Sequence, residues 1–332
     1  MRLWMIVAGV SAMIAGVPAD AQEGKAEPGL DRTLLHVQVI LDKLGFSPGI
    51  LDGRDGQSLK AALRGFQKSR GLPVTGRADA TTLRALYPLR AIRPTRTLAL
   101  TPAMLAGPYI NPTPKDYADQ AKLPGLAYRS PLEKLAEMFH TSPEVLVELN
   151  GRDTRLAPGT RVVFPNALPG SRAYKAGLDA TWRRTLNDLN VDANQPQGDR
   201  VVVDKSEGVL KVFRGERLVA QFSATMGSTK DPLPIGTWKI QGASYNPVFH
   251  YNPDLFWDAD SKDEKAVIKP GPNGPVGVIW LDLSKPHYGI HGTPEPQNIG
   301  RTQSHGCIRL TNWDAARLSL MVPLGTKAVF QP

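Results

Sequence analysis

Cys307 is the single cysteine of a 332-residue chain, and it closes the stretch Ser304-His305-Gly306-Cys307. A thiol attacks a carbonyl as its thiolate, so it needs a base to take the proton and donors aimed at the oxyanion that forms. Both are at hand. His291 precedes the thiol by a turn-rich loop, "GTPEPQNIGRTQSHG", long enough to fold back and bring imidazole to sulfur. Gly306 permits a tight turn in which the amides of His305, Gly306 and Cys307 converge on one point. A helix expected just beyond adds positive potential at its N-terminus.

Other uses of these residues are possible in principle. A lone thiol forms no intramolecular disulfide, which leaves an intermolecular bridge, an inert buried thiol or a nucleophile; the glycine-flanked, turn-rich setting argues for an exposed, reactive one. A zinc site from His287, His291, His305 and Cys307 has acceptable ligand types. In a continuous strand, however, His287 and His291 would stand about 13 Å apart at roughly 3.3 Å per residue, too far for one ion with bonds of about 2 Å. No metal is therefore expected, and without a phosphate-binding glycine loop no nucleotide cofactor is implied.

These residues need elements to hold them. "DRVVVDKSEGVLKVFRGERLVAQFSATMG" alternates with period two and predicts three strands, with turns at Ser206-Glu207-Gly208 and Arg214-Gly215-Glu216. Further strands are predicted in "GTWKIQGAS", "VGVIWLDLS", "HYGIHG" and "KAVFQP". One helix interrupts them, "TNWDAARLSLMV", started by Thr311 in a Thr-x-x-Asp pattern. The C-terminal part thus reads as a mainly β, sandwich-like domain with one helix after the cysteine.

His291-Gly292 followed by Ser304-His305-Gly306-Cys307 and Arg309 resembles the active-site signature of the L,D-transpeptidase family (YkuD-type catalytic domain). The likeness runs over residues 199–331, through "PLPIGTW", "NPVFHYNPDLFW" and "YGIHGTPEP". The resemblance implies that Cys307 is the nucleophile and His291 its base, with the Gly292 carbonyl orienting the imidazole. His305, Gly306 and Cys307 would line the oxyanion hole. Arg309 would hold a substrate carboxylate with its planar fork. Ser304, a loop-fixing hydrogen bonder, is grouped with Tyr288, His250 and Trp257 at the substrate side; His250 is also compatible with a packing role, and the aromatics around it with a flap over the cleft. Carbapenem-type inhibitors are expected to acylate Cys307.

Upstream, "MRLWMIVAGVSAMIAGVPADAQ" has one early positive charge, an apolar run and Ala19-Asp20-Ala21, which predicts a signal peptide over residues 1–21 cleaved after Ala21, and export to periplasm or cell wall. Export argues against nucleic acid as a partner, and the net charge of +9 then fits an anionic polymer such as cell wall, or a membrane surface, as neighbour. Helical spacing at Leu34, Val37, Leu41 and Leu44, again at Leu59, Ala62, Leu63 and Phe66, and in "DATTLRALY" with Asp79 as N-cap, predicts three short helices within residues 32–88. Gln38, Leu44-Gly45-Phe46, Asp52-Gly53, Gly56, Phe66-Gln67, Gly71-Leu72-Pro73-Val74, Gly76 and Thr82-Leu83 resemble the peptidoglycan-binding domain type 1; Arg54-Asp55 departs from its usual apolar pair.

Residues 89–122 are Pro-rich and aperiodic, as in a semi-rigid linker. Residues 123–168 carry two helical faces and a β-rich end, and Leu149-Asn150 with Pro158-Gly159 resembles a degenerate lysin motif, with Arg129-Ser130-Pro131 in place of its usual entrance. Residues 169–198 read as a second linker. The fold class expected is thus multidomain α+β. The function expected is that of an exported enzyme acylating itself on peptidoglycan stem peptides and passing the acyl group to an amine: a second stem, or a lipoprotein lysine. Hydrolysis to shortened stems, or non-catalytic wall binding, are the competing readings.

Overall fold

The computed structural model describes residues 29–332, so the expected signal peptide lies outside the described residues. Among the described residues no helix is long and apolar enough to cross a membrane.

The N-terminal module has the three expected helices, α1 (Arg32–Lys43), α2 (Gln57–Ser69) and α3 (Ala80–Leu86), with a two-residue strand β1 (Phe46–Ser47) after the first. Asp31 caps α1 by accepting from the amides of Thr33 and Leu34, and Asp79 caps α3 through Thr82. Val37, Ile40 and Leu41 pack on Leu59, Leu63 and Phe66. Two buried glutamines close the connectors: Gln38 accepts from the amides of Asp52 and Gly53, and Gln67 accepts from Gly76 while donating to Thr82 Oγ1. These motif positions therefore have a structural reason in this chain.

The next elements are β2 (Thr95–Ala99), α4 (Tyr117–Ala121), α5 (Pro131–Met138), α6 (Pro143–Asn150) and β3 (Arg161–Pro165). β2 pairs antiparallel with β3, Leu98 opposite Val162, over a core of Leu135, Phe139, Leu146 and Phe164. Residues 89–122 are thus not a plain linker: they give the middle module a strand and carry a short helix. The strand's partner is more than sixty positions away, which hid it from local reading.

Residues 169–198, expected as a linker, hold α7 (Ala180–Asp188), capped by Asp179. Its Trp182 and Leu186 are fully buried and join the core of the C-terminal domain. The apolar spacing of Trp182, Leu186 and Leu189 was the available signal, masked by the polar residues between.

The C-terminal domain continues with β4 (Arg200–Asp204), β5 (Val209–Arg214), β6 (Arg217–Ser223), β7 (Thr225–Met226), β8 (Gly236–Tyr245), β9 (Phe249–Tyr251), β10 (Ala266–Ile268), β11 (Ile279–Leu283), β12 (Gly289–His291), β13 (Ile308–Arg309), α8 (Asn312–Met321) and β14 (Lys327–Gln331). The main sheet runs β1-β6-β5-β4-β14-β8-β11-β12-β13-β7, while β9 and β10 form a separate hairpin. β8 joins the two halves: Gly236–Lys239 pair with β14, and Ile240–Tyr245 with β11. Both halves, α7 and the single expected helix after the cysteine, α8, contribute to one core.

The N-terminal module is built into this domain. β1 pairs parallel with β6, Phe46 opposite Gln221. Asp42 of α1 accepts from Arg317 of α8 at 2.8 Å, and Ser47 Oγ donates to Asp314 at 2.7 Å. His140, after α5, reaches Asp42 at 3.2 Å and stacks on Trp313 at 5.1 Å. Burial would raise the Asp42 carboxyl, but Arg317 and His140 outweigh it and hold it well below the usual carboxylate range. Removing one partner of a buried ion pair leaves an uncompensated charge, so Arg317→Leu is expected to destabilise the chain by about 3–5 kcal/mol, measured by denaturant unfolding. A change within about 0.5 kcal/mol would remove this network from the stabilising interactions of the fold.

Candidate active site

β12 and β13 run parallel, with Ile290 opposite Ile308 and His291 opposite Arg309. Ile290 and Ile308 are fully buried in the core. The alternation of a strand therefore turns His291, and with it Cys307 and Arg309, to the opposite face. The amide of Leu310 donates to the His291 carbonyl at 2.9 Å and continues the ladder.

Trp280 is the register partner of His291 on β11, and the two rings stack at 5.4 Å and 18°. Gly289 makes this possible: a Cβ there would lie 2.4 Å from the Trp280 ring. On the imidazole's other edge, Nδ1 stands 2.7 Å from the Gly292 carbonyl oxygen. A carbonyl only accepts, so Nδ1 carries the proton and Nε2 keeps its lone pair. Burial, then the charge of Arg309, push the imidazole down to about 3 against the opposing effect of the Gly292 carbonyl. His291 is therefore a neutral imidazole with a fixed tautomer.

The Gly292 turn is held by Asn312, the first residue of α8. A Cβ on Gly292 would fall 2.1 Å from Asn312 Oδ1, which accepts from the Val278 amide at 3.1 Å. Asn312 Nδ2 donates to Glu137 of the middle module at 2.8 Å and to the Pro272 carbonyl.

The cysteine loop is fixed from its own residues. Ser304 Oγ donates to the Cys307 carbonyl at 2.6 Å and accepts from the Gly227 amide at 2.7 Å. Gly306 has φ +88°, and a Cβ there would meet the Tyr288 ring at 2.5 Å, so both backbone and space require glycine. Among the described residues the amides of His305, Gly306 and Cys307 donate to no protein acceptor. The thiol makes a weak contact to the His287 carbonyl at 3.8 Å. Burial raises the thiol above its ordinary value; the Gly289 amide and Arg309 oppose this, and Asp231 adds to it. Thiol and imidazole both rest uncharged.

His305 Nε2 stands 2.8 Å from Asp258 Oδ1, and its ring packs on Phe256 and Trp257 at 5.2 and 5.8 Å. The segment after β9 thereby grips the cysteine loop.

These elements enclose a cleft of about 590 Å³. Cys307, His291, Arg309, His305, Tyr288 and His250 all line it. Gly292, Gly306 and Ser304 stand outside its wall and hold those that do. Trp257, expected at the substrate side, is also outside the lining: it is half exposed, lies beside His305, and has Lys230 Nζ over its ring at 3.7 Å. The strand expected over "HYGIHG" shortens to β12, because His287 takes φ +67° and the Tyr288 amide turns back to the Lys285 carbonyl. The strand spacing between His287 and His291 thus does not apply; among the described residues no three His, Cys, Asp or Glu side chains are grouped to hold a metal ion.

Trp280, Asn312, Gly289 and Asp258 went unnoticed in the sequence. For Trp280 a signal existed: it alternates with the buried Ile279 and Leu281, which puts it on the face that His291 uses.

Residues 198–330 match the family model described as the L,D-transpeptidase catalytic domain, and residues 33–86 that of a peptidoglycan binding domain. A Bacillus licheniformis protein named as an L,D-transpeptidase, YkuD, is 32% identical over 133 residues, covering 40% of this chain and 66% of the relative. The Bacillus subtilis protein of the same name is 55% identical over 56 residues, 17% of this chain and 34% of the relative. A solved L,D-transpeptidase from Mycobacterium smegmatis aligns with a TM-score of 0.33 at 23% identity, covering 40% of this chain and 58% of that one. Each of these three matches spans less than two thirds of the relative's own length.

Proposed function

From a chain that carries an L,D-transpeptidase catalytic domain and a peptidoglycan binding domain, we propose an exported cysteine acyltransferase that crosslinks peptidoglycan stem peptides. The observation that carries this reading is the neutral His291, its Nδ1 occupied by the Gly292 carbonyl and its Nε2 lone pair without a partner among the described residues, on the same cleft as Cys307.

The donor is a tetrapeptide stem bound with the carbonyl of its diamino residue, at the L-centre, near the thiol. Because both groups rest uncharged, proton transfer accompanies attack: the Sγ–H proton passes to His291 Nε2 as sulfur bonds to the carbonyl carbon. The amides of His305, Gly306 and Cys307, free of protein acceptors among the described residues, stabilise the oxyanion. As the tetrahedral species collapses, the C–N bond to D-Ala breaks and His291 returns the proton to the leaving amine, leaving a thioester. An acceptor amine then attacks, gives its proton to His291, and the thiol departs reprotonated.

Arg309 lies next in register to His291, and among the described residues its guanidinium makes only a long bond, 3.5 Å, to the Gln303 carbonyl, which leaves its fork for a substrate carboxylate. Transfer over hydrolysis requires an oriented amine in place of water, and orientation of that kind reaches effective molarities of about 10⁵ M or more.

Incubating the chain from residue 22 with disaccharide-tetrapeptides, and reading products by mass spectrometry, is expected to give mainly crosslinked dimer with release of D-Ala. Mainly tripeptide stems at millimolar acceptor would make the enzyme an L,D-carboxypeptidase. Efficient coupling only to a lipoprotein lysine peptide would make it a ligase. No product, and no gain of one drug mass from a carbapenem, would leave a non-catalytic wall-binding protein.

A further inference from the structure

The β9–β10 hairpin that walls the cleft is not packed by the catalytic domain alone. Its inner residues Tyr251, Ala266 and Ile268 form a small core with Leu126, which lies in the connector between α4 and α5 of the middle module. The connector runs along the hairpin's base: the Leu126 amide donates to the Pro270 carbonyl at 3.1 Å, and the Asn273 amide donates to the Leu126 carbonyl at 3.0 Å. Glycine is needed at 271, where a Cβ would meet the Leu126 carbonyl oxygen at 2.1 Å. At the hairpin's cleft side, Tyr117 of α4 lies against Tyr251 with ring centres 4.1 Å apart and against Phe249 at 6.1 Å. Tyr117 also lines the same cleft as Cys307 and Arg309.

The hairpin in turn reaches the nucleophile. Tyr251 packs on Phe256 at 5.4 Å, Phe256 on His305 at 5.2 Å, and Asp258 bonds His305, two positions before Cys307. Packing thus runs unbroken from the connector to the cysteine loop.

We propose that Tyr117, which lies outside the catalytic domain, is a positioning residue of the acyl-donor site: its ring fixes the β9–β10 hairpin over the cleft and, through Phe256, Asp258 and His305, steadies the cysteine loop. This rests on the acyl-transfer reading of the cleft. Its consequence is that the donor pocket is completed by the segment between β2 and α5 of the middle module, so that donor binding depends on how that segment is seated.

The test uses the chain from residue 22 as wild type, Tyr117→Ala and Tyr117→Phe, with disaccharide-tetrapeptide as donor and hydrogen exchange as an independent readout. Tyr117→Ala removes the ring that packs on both Tyr251 and Phe249, and is expected to raise KM for the donor by roughly tenfold. It should also lower the ratio of transfer to hydrolysis and speed amide exchange of residues 249–251 and 266–268 about tenfold. Exchange in β4, β5 and β6 should stay unchanged, and Tyr117→Phe should restore all three quantities. Wild-type KM, product ratio and hairpin exchange in Tyr117→Ala would overturn the proposal. So would faster exchange throughout β4 to β6, which marks a general packing residue, or a Tyr117→Phe variant as impaired as the alanine. If the wild type itself forms no product, the acyl-transfer reading fails, and the exchange data still decide whether Tyr117 holds the hairpin.

Discussion

Cys307→Ala is expected to abolish turnover, a loss on the order of 10⁴-fold or more, and to abolish mass gain from a carbapenem. No other cysteine exists in the chain to substitute for it. The variant should fold normally, because the sulfur's bond to the His287 carbonyl, at 3.8 Å, is a weak one. Its stability to denaturant should match the wild type within about 0.5 kcal/mol. Residual turnover above a few per cent by the product assay would remove Cys307 from the reaction.

His291→Ala follows in size, with kcat falling by roughly 10²- to 10⁴-fold through loss of the general base. His291 is buried beneath Trp280, so a packing defect could imitate that loss; the wild-type pH profile separates the two. Burial and Arg309 lower the imidazole from its ordinary 6.5 to about 3. The base is therefore unprotonated well below neutrality, and the acid limb of kcat/KM should fall as pH approaches about 3. An acid limb centred near the ordinary 6.5 would contradict the neutral-base assignment. The same shift has a stability sign. The folded state binds its proton less readily than the unfolded state, so this group's contribution is fully present above 6.5 and is lost as pH falls through the window down to about 3.

What was legible in the sequence was local. Ser304-His305-Gly306-Cys307 is a run of consecutive residues whose geometry depends on one glycine with φ +88°. The helices α1 and α2 show in apolar spacing, and β4, β5 and β6 in period-two alternation with short turns. What escaped depends on pairings across the chain. Glu137 meets Asn312 across 175 positions, and Asp42 meets Arg317 across 275; neither polar residue differs from a solvated surface position until its partner is placed. α7 escaped for a related reason: Trp182 and Leu186 are buried by a sheet most of which follows them in the chain. Even Trp280, whose alternation placed it on the right face, gained meaning only from its register with His291.

The pairing of β1 with β6 also bears on solubility. Strand β6 is hydrogen-bonded to β5 along one side, and along the other Phe46 and Ser47 cover Gln221 and Phe222. Gln221 further donates to the Ala61 carbonyl at 2.7 Å. In a fragment of residues 199–332 that side of β6 would stand bare, with unpaired amides and carbonyls beside Phe222 and Leu218, the kind of border through which sheets of separate molecules join. The N-terminal module thus covers this border of the sheet, and the shorter fragment is expected to self-associate more readily than the full chain.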